Sequence, residues 1–146
     1  MLNVRQVQPT DIFAAIRLAY DNLPERYSPS IFNYFYESFA NGFLVAEEYG
    51  KIIGFIIGVK TFEKSARILM LSVHSDYQKK GVGTKIVASF LEEMKRLNIK
   101  NIELEVRVNN LNAINFYKKL NFKIMEKIKH FYPNGEDAYI MKIELR

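Results

Sequence analysis

Residues 75–87 read SDYQKKGVGTKIV, two glycines one residue apart with two lysines before them and an apolar, helix-periodic run after them. Loops that open a helix bind anions by aiming free backbone N–H groups at them, and the helix dipole adds about half a positive charge there. Gly81 and Gly83 suit that work, because glycine lets the backbone approach closely and take positive φ. Lys79 and Lys80 add charge. The Walker loop is absent, since no G-x-x-x-x-G-K-[ST] occurs, and the dinucleotide fingerprint fails because Ile86 stands where its third glycine belongs. A lone G-x-G before a helix fits a structural turn equally well, so both readings stay open on this loop alone.

The remaining inventory narrows the chemistry. There is no cysteine, which excludes disulfides, thiolate zinc sites and a cysteine nucleophile. His74 and His130 are too few for most metal sites. With 146 residues, 49% of them apolar and 14% aromatic, the chain is expected to be a single domain, 1–146, with a real core. No apolar run approaches the ~18 residues of a membrane span, and MLNVRQVQPTD lacks a signal-peptide core. A cytoplasmic, metal-free protein is the expectation. A formal charge of +5 favours an anionic ligand or partner, and the chain carries no zinc-finger, RNP or similar nucleic-acid-binding signature.

The elements that must position the loop follow from periodicity. NVRQV reads as a short strand. Thr10 or Asp11 offers a cap to a helix carrying Ile12, Ala15, Ile16 and Ala19, broken at Pro24. Ser28 and Pro29 restart a helix with Ile31, Phe32, Phe35 and Phe39, ended near Gly42 as a cap. FLVAEE and KIIGFIIGVK form a hairpin, and ARILMLSV is apolar enough for burial on both faces. Val82, Ile86, Val87, Phe90, Leu91, Met94 and Leu97 form a helical stripe, read as packing against a sheet. IELEV is a strand and NAINFYKKL a short helix closed by a left-handed Asn121. FKIMEKIKHF and AYIMKIEL make a last hairpin. The order β-α-α-β-β-β-α-β-α-β-β describes a mixed α/β domain with helices on a central sheet.

The wider stretch RILMLSVHSDYQKKGVGTKIVASFLEEM places [QR]-x-x-G-x-[GA], Gln78 to Gly83, between strand and helix. It resembles the acetyl-CoA-binding motif of the GNAT N-acetyltransferases. LEVRVNNLNAINFYKKLNF, with N-x-x-A-I-x-F-Y, is similar to that family's next strand and helix. NLPERY and FYPNGEDAYIMK resemble the segments flanking the peptide groove in protein N-terminal acetyltransferases of the RimI and NatA catalytic-subunit type. The resemblance implies a GNAT fold, a mostly antiparallel sheet of about seven strands with about four helices. It implies transfer of acetyl from acetyl-CoA directly to the free α-amine of a protein N-terminus in a ternary complex.

That substrate asks for a mild base only. An α-amine titrates near ~7.7 to 8, whereas a lysine amine near ~10.4 needs ~3.5 kcal/mol more to deprotonate. Under the resemblance Glu105 stands where RimI has its general base; the bland alternative is a solvent-facing strand carboxylate alternating with Glu103. The NatA catalytic subunit has histidine there, and Glu25 of NLPERY, matching a groove residue of that subunit, is the rival; it is otherwise a surface charge. A water relay is the third option. Tyr117, twelve residues after Glu105, matches the acid that protonates the leaving thiolate, or else is an amphipathic core tyrosine.

Cofactor contacts carry over in the same way. Backbone N–H groups of Leu71, Ser72 and Val73 hold the pantetheine arm and polarise the thioester. Gln78, Lys79, Lys80, Gly81, Val82, Gly83 and Thr84 cradle the pyrophosphate, and Asn110 and Asn112 reach the arm beside Tyr117. Leu23, Pro24, Tyr27 and Tyr132 line the peptide groove with Glu25, while Phe131 belongs to the core. His74 has no role, and His130 is structural or solvent-facing. Ser75, where the family often has proline, makes that turn looser.

Two alternatives remain: an acetyltransferase for a small amine or lysine side chain, and a non-catalytic acyl-CoA-binding module. Ribosome proximity and an auxiliary subunit are possible partners; a membrane and a specific nucleic acid are not expected.

Overall fold

The computed structural model describes residues 1–146. Seven strands, β1 (Leu2–Gln6), β2 (Phe43–Glu48), β3 (Lys51–Lys60), β4 (Ser65–Val73), β5 (Asn101–Arg107), β6 (Lys123–Ile128) and β7 (Ala138–Glu144), make one sheet. Its order is β1-β2-β3-β4-β5-β7-β6, and only the β4–β5 pair is parallel. Four helices are α1 (Ile12–Asn22), α2 (Ser30–Phe39), α3 (Val82–Arg96) and α4 (Leu111–Lys119). The sequence order of elements is the one periodicity predicts. No helix is long and apolar enough to cross a membrane.

Helices α1 and α2 cover one face of the sheet, burying Ala15, Phe32 and Phe35 against Phe43, Val45, Phe55 and Met70. Helices α3 and α4 cover the other, burying Ile86, Phe90 and Tyr117 against Ile56, Ile68, Leu104 and Met141. Strands β2 and β3 are therefore apolar on both faces, which is why they read as continuous runs. Phe32, Phe43, Phe55, Phe90 and Phe122 are fully buried; each such side chain contributes about 1.5–3 kcal/mol by leaving water.

Three local expectations are corrected. A 3₁₀ turn, Pro9–Asp11, precedes α1, and the Asp11 carboxylate turns back to accept from the Gln8 N–H at 2.8 Å and from Arg5 at 2.7 Å. Gly42 does not cap a helix with a left-handed φ; a methyl group there would strike the Gly58 carbonyl oxygen, so close approach demands glycine. Strand β4 is not buried on both faces. Its register against β3 shifts between Ile57 and Gly58, and Leu69, at this bulge, is exposed. Bulges re-aim side chains beside sites, and this one sends Leu69 into the groove beside Met70.

The parallel β4–β5 ladder lasts only from Ser65–Arg67 against Asn101–Glu103. Beyond it the strands part: β4 stays on β3 as far as Val73, and β5 stays on β7 as far as Arg107. That gap in the sheet positions everything below.

Candidate active site

Backbone polarity leaves the gap lined with free hydrogen-bonding groups. The His74 N–H donates to the Ile53 carbonyl at 2.7 Å. Strand alternation then turns Ser72 toward β3 as well, and leaves the N–H and C=O of Leu71 and Val73 facing the gap. Ser72 is a correction: its hydroxyl is buried, donating to the Leu18 carbonyl at 3.3 Å and accepting from Asn22 at 3.1 Å, which pins α1 to β4. The Val73 carbonyl accepts from the Gln78 side chain at 2.9 Å, so Gln78 ties the following loop to the strand.

That loop is tight. Ser75–Tyr77 forms a 3₁₀ turn capped by His74, whose Nδ1 accepts from the Asp76 N–H at 3.1 Å. Serine does not loosen it, and His74, given no role from sequence, is its cap. Lys79 and Gly81 both take left-handed φ, 61° and 82°. The first helical bond of α3 is Lys85 N–H to the Gly81 carbonyl at 3.1 Å, so the N–H groups of Val82, Gly83 and Thr84 point out unpaired. Beside them lies a cavity of about 340 Å³, lined by Leu71, Val73, Gln78, Lys79, Gly81, Gly83, Thr84 and Phe116. Lys80 does not line it, and the Val82 side chain is buried in the core; from Val82 only the backbone serves.

Through Leu71 and Phe116 this cavity adjoins a second, about 290 Å³, centred on the gap. Leu23, Pro24, Glu25, Tyr27, Leu71, Glu105, Asn110, Tyr117 and Tyr132, scattered in sequence, all line it. Asn110 is also the N-cap of α4, accepting from the Ala113 N–H at 3.2 Å. Asn112 is exposed and lines neither cavity. A third cavity of about 360 Å³ continues past Leu69, Ile31, Phe35, Phe131 and Pro133 and shares Glu25, Tyr27, Glu105 and Tyr132 with the second. Phe131 is 41% exposed and belongs to this groove, not to the core. His130 is exposed; its backbone N–H donates to Asp137 at 2.9 Å and its Nδ1 lies 3.2 Å from the Gly135 carbonyl oxygen, both within the β6–β7 loop.

Glu105 and Tyr117 flank the gap from opposite faces. Along β5, Ile102, Leu104 and Val106 point into the α3–α4 core, so Glu103, Glu105 and Arg107 share the other face. The Glu105 side chain is 17% exposed, and its Oε1 lies 3.4 Å from Arg67 Nη1. Burial pushes its carboxyl above the usual carboxylate range, against the pull of Arg67. Tyr117 is buried on α4 between Phe116 and Phe122, ring centroids 5.0 and 5.3 Å away. Burial pushes its phenol well above the ordinary tyrosine value. No shielded polar side-chain atom in the protein lacks a partner, and the Tyr117 hydroxyl bonds no protein group, so it opens on the cavity.

Two residues that sequence reasoning missed organise the groove. Arg107 bonds Glu136 at 2.7 Å, approaches Glu25 at 3.4 Å and stacks 3.8 Å over the Tyr132 ring. Its place at the end of the LEVR strand was the available signal. Arg67, the residue paired in register with Glu103, is the other.

A splayed parallel pair, a helix start with free N–H groups and a groove between two loops are the features of an acyl-CoA-dependent acetyltransferase fold. Residues 12–122 match the acetyltransferase (GNAT) family, and the chain belongs to it. It is 32% identical to an N-alpha-acetyltransferase of Sulfurisphaera tokodaii, over 97% of this chain and 92% of that one. Its structure is similar to Ard1 from Thermoplasma volcanium, with a TM-score of 0.94 and 31% identity over 99% and 98% of the two chains. It is also similar to the ribosomal-protein-S18-alanine N-acetyltransferase of Escherichia coli, with a TM-score of 0.86 and 25% identity over 99% and 94%.

Proposed function

We propose that residues 1–146 act as one catalytic domain that moves acetyl from acetyl-CoA to the free α-amine of a protein N-terminus. One observation carries this reading: the loop cavity and the apolar groove between NLPERY and FYPNGED open into the same gap, where Glu105 and Tyr117 face each other. The residues present fit acetyl-CoA. The free N–H groups of Val82, Gly83 and Thr84, with Lys79, meet its pyrophosphate. The gap-facing backbone of Leu71 and Val73, with Asn110, meets the arm.

When bound, acetyl-CoA supplies a thioester carbonyl, and the amide C–N bond forms as the C–S bond breaks. Glu105 takes the amine proton, directly or through a water. Its raised proton affinity suits this, because an α-amine near ~8 needs only modest help. Glu25 is the rival candidate, but Arg107 occupies its carboxylate at 3.4 Å and its side chain is 40% exposed. Tyr117 stays protonated and donates a hydrogen bond to the departing sulfur, whose thiol resembles cysteine near ~8.5. Full transfer from so weak an acid is uphill, so solvent completes that protonation. Leu23, Pro24, Tyr27 and Tyr132 hold the peptide.

The reading includes a cytoplasmic setting, where nascent N-termini and acetyl-CoA meet, and the +5 charge suits docking near ribosomal RNA or an acidic auxiliary subunit. The test is CoA release against free peptides starting with Met, Ser and Ala, a blocked peptide with an internal lysine, and spermidine. Turnover on free N-termini alone is expected. Turnover only on lysine or spermidine makes it a small-amine or side-chain enzyme, and binding without turnover makes it an acyl-CoA-binding module.

A further inference from the structure

Arg67 stands at the last paired position of the parallel ladder, opposite Glu103, where β4 and β5 begin to part. Its guanidinium forks. Nε reaches Glu103 Oε1 at 3.1 Å with Nη2 on the same oxygen, and Nη1 reaches Glu105 Oε1 at 3.4 Å. Glu103 and Glu105 are i and i+2 on one face of β5, so one planar cation spans both. The Arg67 side chain is anchored by Glu103, the more tightly bound partner, and touches Glu105 from below the gap.

We propose that Arg67 is a positioning residue: anchored by Glu103, it holds the Glu105 carboxylate ionised and aimed into the gap. The proposal rests on the reading of Glu105 as base. Without the arginine, two carboxylates two residues apart share one face, one of them shielded from water. Like charges at that spacing, plus burial, favour the protonated and useless form. Other charged and titratable groups face Glu105 as well: Glu25 and Tyr27 from the α1–α2 loop, Tyr132 from the β6–β7 loop and Arg107 on its own strand. Lys142 of β7 lies across from Glu103. Arg107 is engaged by Glu136 and Glu25, and the tyrosines are neutral at working pH, which leaves Arg67 as the cation that contacts Glu105.

The proposal separates from a simple strand stitch by sign. In Arg67→Gln, Glu105 loses its cation and its titration moves up by about one pH unit. In Glu103→Gln, Glu105 loses a like charge and gains the whole guanidinium, so its titration moves down. A variant that merely loosened the β4–β5 junction would not move the two in opposite directions. Carboxyl ¹³C NMR titration reads this directly, with the Glu105 resonance identified by its loss in Glu105→Gln. Alongside, the acidic limb of kcat should move up by about one pH unit in Arg67→Gln, so that kcat falls up to about tenfold on that limb and recovers toward wild type at pH 9, with the acetyl-CoA KM within twofold. Arg67→Lys should restore the titration in part. Equal Glu105 titrations in wild type and Arg67→Gln, or shifts of one sign in both variants, overturn the proposal. A Glu105→Gln enzyme with undiminished kcat overturns instead the base assignment on which it rests, whatever the titrations show.

Discussion

Arg107 reaches Glu25 across the mouth of the groove, Nη2 to Oε1 at 3.4 Å, while its other nitrogen holds Glu136 at 2.7 Å. One guanidinium thus joins the α1–α2 loop to the β6–β7 loop, the two walls between which a peptide must lie. Its plane also sits 3.8 Å over the Tyr132 ring, so three weak ties converge on a side chain that is mostly buried. Arg107→Met keeps the stem and removes them. Partly exposed ion pairs and cation–π contacts are worth about 0.5–1 kcal/mol each. The expected outcome is a peptide KM raised about tenfold, with the acetyl-CoA KM within twofold; equal rises in both would assign Arg107 to the fold at large.

Glu105→Gln removes the base while keeping its shape. With peptide saturating, kcat should fall about 10²- to 10⁴-fold, and the acidic limb belonging to Glu105 should vanish from the pH–rate profile. That limb lies above the usual carboxylate range in the wild type, because burial raises the carboxyl's proton affinity. The same shift bears on stability. A folded-state value above the unfolded one stabilises fully below the unfolded carboxyl pKa and ceases to do so as pH rises through the folded value. Ionised Glu105 is therefore a cost at neutral pH, and Glu105→Gln should melt no lower than wild type at pH 7. An unaltered pH profile would move the base to Glu25 or to a water held elsewhere.

Why Glu105 was legible and Arg67 was not follows from what each depends on. Elements that bury one face or two appear in the sequence as a period: the α3 stripe from Val82 to Met94 and the β5 alternation from Ile102 to Val106 are unambiguous, whereas β6 buries no residue and is marked only by its hairpin with β7. Residues that line a cavity were legible where they belong to a contiguous motif, as are Gln78, Lys79, Gly81, Gly83 and Thr84. Contacts between motifs were not. Arg67 meets Glu105 only because a parallel register places it opposite Glu103, and register is a property of two strands. The Leu69 bulge is of the same kind: ILML, residues 68–71, is uniformly apolar, so nothing in it marks where the alternation slips. Phe131 was misplaced because an aromatic beside a hairpin reads as core, whereas here it walls an open groove.

Gly81 and Gly83 look alike in the motif but do different work. Gly81 carries φ 82° at the start of α3, with open space where a side chain would stand. Gly83 lies within the helix, its face toward Phe116, where an added methyl would meet the ring at 3.4 Å. Gly81→Ala should therefore strain the backbone by about 1–2 kcal/mol and turn the free N–H groups away from the pyrophosphate. The acetyl-CoA KM should rise about tenfold and Tm fall by several degrees. Gly83→Ala should keep Tm within two degrees or so, because alanine favours the helix, and should raise KM only through crowding of the cavity. Calorimetry with initial-rate kinetics decides; equal Tm losses would mean that the helix start, and not the left-handed turn, is the sensitive element.

Tyr117→Phe isolates one oxygen. The ring packs between Phe116 and Phe122 and stays in place in the variant, and the hydroxyl bonds no protein group, so its removal leaves no buried partner unsatisfied. Tm should be unchanged or slightly higher. If that hydroxyl steadies the departing sulfur, kcat should fall about 10- to 10²-fold, as for loss of one well-placed donor. The fall should shrink with an acyl donor whose thiol is more acidic, because a better leaving group needs less help. The pH profile supplies a second check. Burial holds the phenol protonated beyond the ordinary tyrosine range, so the wild-type rate should show no descending limb from Tyr117 up to about pH 10. An ascending limb that disappears in Tyr117→Phe would mean that the ionised phenol is the active form and acts as a base. The roles of Glu105 and Tyr117 would then be exchanged.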